Sequence, residues 1–147
     1  MGGPLEGLKV LDIATIIAAP LAATLLADYG ADVLKIEMPG QGDGVRSFPP
    51  FKDGKPLWWK TANRNKKFAT LDLRTPEGLA LFKQMLPRFD VLIENFRPGT
   101  LERWGLSKEI LWSIQPRLSS CAPQRSDRTG PIAIDPASHG FSKRWAG

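Results

Sequence analysis

Short β-rich apolar runs alternate with helical segments along this chain, and that alternation constrains its fold more than any other feature. Residues 8–12 (L-K-V-L-D), 32–37 (D-V-L-K-I-E), 68–73 and 90–94 (D-V-L-I-E) read as buried strands. Residues 14–29 are Ala/Leu-rich and end at Gly30, a natural residue to follow a helix, and Pro20 places the helix start close to itself. Thr75-Pro76-Glu77 supplies an N-cap, a first-turn proline and a first-turn acid, and Leu79, Phe82 and Leu86 share one face of the helix that follows. A helical turn is expected over 57–62, and short helices around 101–104 and 107–114, the last capped by Ser107. Strands alternating with helices predict an α/β, Rossmann-like domain with a parallel sheet and flanking helices. Residues 39–56, rich in glycine and proline, read as a long loop.

Length and charge narrow the partners. The 147 residues leave room for one domain or a piece of a larger one, and 42% apolar with 24% charged residues excludes a fibre or a disordered chain. No apolar run approaches the roughly 18 residues of a membrane span. The N-terminus lacks the basic and apolar parts of a signal peptide. The single Cys121 forms no internal disulfide, so the chain is expected in the cytoplasm. A net charge of +5 favours anionic partners: nucleic acid, phosphorylated cofactors or acidic substrates. Residues 43–67 hold a basic surplus equal to that of the whole chain, with Trp58 and Trp59 among them. Such a stretch suits a phosphate-bearing ligand or stacked single-stranded nucleic acid, and a solvated basic face explains it as well.

The turn after Asp12 carries no glycine between residues 13 and 20, which argues against an ordinary NAD or FAD site. Residues 40–44 are Gly-rich, but no Gly-Lys-Ser/Thr follows, so they form no P-loop; a flexible loop is the simpler reading. Residues 94–99 (E-N-F-R-P-G) directly follow a strand, where open α/β sheets bind ligands. Asn95 offers amide donors and an acceptor, Arg97 a planar fork for phosphate or carboxylate, and Gly99 a close backbone approach. A turn in which Asn95 only caps the next helix is the alternative. Cys121 and His139 have no partner at ligand or dyad spacing, so no metal is expected.

Six motifs together resemble the family III CoA-transferases of the CaiB/BaiF type. They are residues 4–12 (P-L-E-G-L-K-V-L-D), 18–20 (A-A-P), 25–37 (L-L-A-D-Y-G-A-D-V-L-K-I-E), 63–67 (N-R-N-K-K), 71–78 (L-D-L-R-T-P-E-G) and 90–99 (D-V-L-I-E-N-F-R-P-G). That family includes formyl-CoA transferase, succinyl-CoA–dicarboxylate CoA-transferases and alpha-methylacyl-CoA racemase. The resemblance runs in order from 4 to 118. It implies a domain that binds the CoA nucleotide without a glycine fingerprint, with contacts at Ile17, Ala18, Leu71, Arg74, Asn95, Phe96, Arg97 and Arg103. Met38 falls where some members have arginine, so one phosphate contact is absent or moved.

The resemblance further implies transfer of CoA between carboxylic acids through an acyl-aspartyl anhydride. Acyl-CoA and a carboxylic acid acceptor are the expected partners, CoA is a substrate rather than a permanently bound cofactor, and members form interlocked homodimers. An acyl-CoA racemase, using an acid–base pair, is the alternative within the family. A small basic single-stranded nucleic-acid binder is the alternative outside it. The family's nucleophilic aspartate lies beyond the last residue; Asp127 and Asp135 are not in its motif, so no catalytic residue is assigned and the chain alone is expected to be inactive. Residues 1–118 are thus expected to form the N-terminal CoA-binding part, and 119–147 an irregular tail. The family usually continues with a strand and F-G-Q-x-G-P-Y-x-x-R-P-G-F; codons for 119–147 can be chosen so that the neighbouring frame spells such a string, which points to a frameshifted or truncated member.

Overall fold

The computed structural model describes residues 2–121. Five parallel strands form one sheet: β1 (Lys9–Asp12), β2 (Asp32–Glu37), β5 (Lys67–Thr70), β6 (Val91–Ile93) and β7 (Ser119–Cys121). Their spatial order is β5-β2-β1-β6-β7. The four strands expected from the sequence are present and parallel. The third begins a residue early and ends at Thr70, because Leu71 donates one last bond to Glu37 and the chain then turns through Asp72.

Residues 119–121 depart from the irregular tail expected there. They pair with β6 in register, Val91 opposite Ser119 and Ile93 opposite Cys121, because an open parallel edge leaves backbone groups that another strand satisfies. Residues 122–147 lie outside the described residues, and with them the rest of the expected tail.

Helices cover both faces, so strand residues alternate between two apolar layers. On one face, α1 (Ala18–Asp28) lays Ala19, Ala23 and Ala27 against Val10, Val33, Val91 and Ile93; small side chains at every fourth position let the helix lie close to the sheet. Pro20 sits in the first turn of α1, where its missing N–H costs nothing. On the other face, α3 (Pro76–Met85), α4 (Thr100–Arg103), α5 (Lys108–Ile114) and the turn between the last two bring Phe82, Leu101, Leu111 and Leu106 onto Leu11, Ile36 and Leu92. Two expected caps form: the Thr75 hydroxyl accepts from the Gly78 N–H and the Ser107 hydroxyl from the Ile110 N–H.

The segment 39–56 is more ordered than a flexible loop. It contains a 3₁₀ turn at Gly44–Ser47, capped by Asp43, and a short hairpin of β3 (Phe51–Lys52) and β4 (Lys55–Pro56). It leads into α2 (Leu57–Ala62), whose Ala62 carbonyl accepts from the buried Thr24 hydroxyl on α1.

Candidate functional site

The chain segments leaving the carboxyl ends of β1, β2, β5 and β6 enclose a cleft of about 320 Å³. Its walls include Ala14, Thr15 and Ile16 of the first turn, Met38 and Gly42 after β2, Leu71, Asp72 and Arg74 after β5, and Phe96 with Trp104. This is the edge at which open α/β sheets bind ligands. Phe96 meets Trp104 edge to face, with ring centres 5.0 Å apart, so one wall is aromatic. Met38 adds a thioether to the wall, and Arg74 brings a guanidinium to the rim.

Arg74 is not free. Its Nε and Nη2 donate to the Asp72 carboxylate at 2.9 and 2.8 Å, and Nη2 also lies 3.1 Å from the Met38 sulfur. Those hydrogen bonds from Arg74 hold the Asp72 carboxyl down to about 2. The two residues form an exposed pair that an incoming anion must open or share.

The expected site residues divide into three groups. Leu71, Arg74 and Phe96 line the cleft. Ile17 and Ala18, at the start of α1, do not line it, nor do Arg97 and Arg103, exposed on the chain beyond β6. Arg103 donates to the Thr100 hydroxyl at 3.0 Å. Asn95 does something the sequence reading missed: it neither faces the cleft nor caps α4. Its Oδ1 accepts from the Thr15 N–H at 2.9 Å and its Nδ2 donates to the Thr15 carbonyl at 2.8 Å, a two-point clamp between β6 and the first turn.

Behind the first turn lies a buried chain of alternating charges. Asp12 and Lys35 are register partners on adjacent strands, and their charged atoms are 3.7 Å apart. Lys66 donates to Asp12 at 2.8 Å, to the Pro20 carbonyl and to the Asn63 side chain. Burial pushes the Lys66 ammonium below the usual lysine range, against the pull of Asp12. Lys35 reaches Asp43 at 3.0 Å and donates to the Ala14 carbonyl at 2.7 Å. All four charged side chains are buried. A lysine inside the apolar run D-V-L-K-I-E is the sequence signal for this network, since a strand covered on both faces tolerates a cation only when it is paired.

The same geometry explains residues 63–67. Arg64 and Asn65 both bond Asp28 at the end of α1, and Lys67 pairs with Asp32. This motif is therefore a structural joint between α1 and the sheet.

Two other ligand classes lose support. Glu37 ends β2, where a dinucleotide fold places an acid on the ribose. Here both of its oxygens are engaged, by Arg46, the Trp59 indole and the Asp43 N–H. The Arg46 guanidinium lies 3.7 Å from the centre of a Trp59 ring, and Trp59 meets Phe68 at 4.9 Å, so Trp59 already stacks within its own fold. Trp58 stays exposed beside Lys55 and Lys60. Among the described residues no group of three acid, histidine or cysteine side chains is placed to hold a metal, and no helix is long and apolar enough to cross a membrane.

Comparison with known proteins gives a consistent result. The family model for CoA-transferase family III matches residues 5–141. The beta subunit of succinyl-CoA–L-malate CoA-transferase from Chloroflexus aurantiacus is 48% identical over 141 residues, covering 95% of this chain and 34% of that protein. Acetyl-CoA:oxalate CoA-transferase from Acetobacter aceti is 39% identical over 135 residues, 92% of this chain and 35% of that one. The crystal structure of a CAIB/BAIF family protein from Brucella suis superposes with a TM-score of 0.77 at 39% identity, over 83% of this chain and 33% of that chain. The chain spans about a third of the length of the curated relatives it matches.

Proposed function

The chain belongs to CoA-transferase family III, and from that membership we propose that it forms the CoA-binding part of an enzyme that moves coenzyme A between carboxylic acids. The observation that carries this reading is the cleft at the carboxyl edge of the sheet. It has an apolar and aromatic wall of Met38, Phe96 and Trp104 for a flat ring, and Arg74 on its rim for a phosphate. Arg97 and Arg103, exposed nearby on the chain after β6, supply further planar forks for the remaining phosphates. The first turn forms a wall of the cleft through Ala14, Thr15 and Ile16.

Malate, citramalate and oxalate appear in the names of relatives, so small dicarboxylates are the acceptors proposed for the whole protein. An acyl-aspartyl anhydride suits that chemistry: the enzyme carboxylate attacks the donor thioester and CoA thiolate leaves. The thiolate then attacks the aspartyl carbonyl and releases the donor as its carboxylate. The acceptor carboxylate displaces the thiolate again, and the thiolate takes the acceptor's acyl carbon, leaving the acceptor as its CoA thioester and the enzyme carboxylate free. Among the described residues the carboxylates near the cleft are committed elsewhere, Asp12 and Asp43 to lysines, Glu37 to Arg46 and Asp72 to Arg74. The part described here is therefore assigned binding, not the attack on the thioester.

Calorimetric titration with free CoA tests the reading. Binding that weakens on replacing CoA by dephospho-CoA, and about tenfold with Arg103→Ala, as for a lost charge-assisted bond, supports it. Equal loss with Lys52→Ala would move the site to the 39–56 segment and defeat it.

A further inference from the structure

Ile16 has φ of +70°, in the left-handed region that a β-branched residue enters only under constraint. The sequence offers no glycine there to relieve it. Four side chains from four parts of the chain impose the conformation. The Asp12 carboxylate accepts from the Ala14 N–H at 3.1 Å. The Lys35 ammonium holds the Ala14 carbonyl at 2.7 Å. Asn95 clamps Thr15 from both sides. Asp43 accepts from the Ile16 N–H at 2.9 Å through Oδ1, the same oxygen that caps the 3₁₀ turn at Val45.

The second Asp43 oxygen is buried and lies 3.0 Å from the Lys35 ammonium. Lys35 thus couples two segments: it grips the first turn directly and, through Asp43, the chain that arrives 27 residues later. Such a network is costly to bury, since each charge must be stripped of water. The first turn is also the one wall of the cleft made of strained backbone.

We propose that Lys35 and Asp43 are positioning residues that hold the turn at residues 14–17 in its left-handed form, so that the cleft meets CoA with that wall already set. The inference rests on the CoA-binding reading of the site. Its physical content is preorganisation: a turn fixed before the ligand arrives loses no ordering entropy on binding.

A double-mutant cycle on the 147-residue chain tests it, with Asp43→Ala, Ile16→Asn and their combination. Each is read by titration with free CoA and by hydrogen exchange at the Thr15 N–H, a bond to Asn95 that neither substitution touches. Asparagine enters the left-handed region readily, so it needs the clamp less. Asp43→Ala alone should weaken CoA binding tenfold or more and speed exchange at Thr15 to a similar degree. In the Ile16→Asn background the same change should cost less than about threefold in both.

Equal cost in the two backgrounds, or unchanged Thr15 exchange, overturns the proposal. Asp43→Asn guards against an Ala variant that does not fold. It keeps an acceptor for Ile16 but unpairs Lys35, so it should speed Thr15 exchange less than Asp43→Ala does; an equal or larger effect also overturns the assignment. A wild-type chain that gives flat CoA titrations defeats the functional reading instead, and the exchange cycle then still decides whether Asp43 sets the turn.

Discussion

Arg74 and Asp72 show how a site residue's chemistry depends on its neighbour. An arginine beside its own carboxylate presents less positive field to a polyanion than a lone one. Asp72→Asn should therefore raise CoA affinity roughly threefold at low salt, the size expected of a screened surface pair, and the gain should vanish at high salt. Calorimetry at two ionic strengths reads it. Glu94 makes a second residue-scale case. It is half-buried at the end of β6, accepts from the Phe96 N–H, and has Glu102 and Lys108 nearby; burial raises its carboxyl above the usual glutamate range. A raised folded value means its contribution is fully present at low pH and is lost as pH rises through that value. Glu94→Gln should therefore raise Tm at pH 7 and leave it unchanged near pH 3. An unchanged Tm at pH 7 would contradict the desolvation argument.

Among the elements, the contact of α1 with the sheet depends on one buried cation. Lys66 ties Asp12 of β1 to the Pro20 carbonyl in the first turn of α1, and the alanines of α1 bury against the same face. Lys66→Met removes the cation and leaves Lys35, 3.7 Å away, to balance the Asp12 charge. Breaking a buried pair from one side costs about 3–5 kcal/mol, so the variant should unfold at much lower denaturant, if it folds at all. The cap of α3 is a smaller matter. Thr75→Ala loses the bond to the Gly78 N–H, and a lost N-cap costs about 1 kcal/mol. Urea midpoints for the two variants should differ accordingly.

For the molecule as a whole, fold and family were legible because they depend on local pattern. Alternating strand and helix signals, and the caps at Thr75 and Ser107, are statements about neighbours in sequence, and the parallel sheet follows from them. The first turn carries no dinucleotide fingerprint to read, and the six motifs marked the family. The candidate site was legible only as positions. Leu71, Arg74 and Phe96 do face the cleft, but nothing local says that Asn95 spends its amide on Thr15, 80 residues away. Nor does it say that the N-R-N-K-K motif is a joint rather than a ligand contact, or that the Gly/Pro-rich segment is pinned by Glu37, Arg46 and Trp59. Those outcomes depend on which polar groups meet after collapse, and a buried polar group takes whichever partner the packing delivers. Sequence alone determined the alternation of four parallel strands with their helices. Only the tertiary structure decided which side chains face the cleft and which are consumed in holding it open, because hydrogen-bond partners are chosen by distance in space.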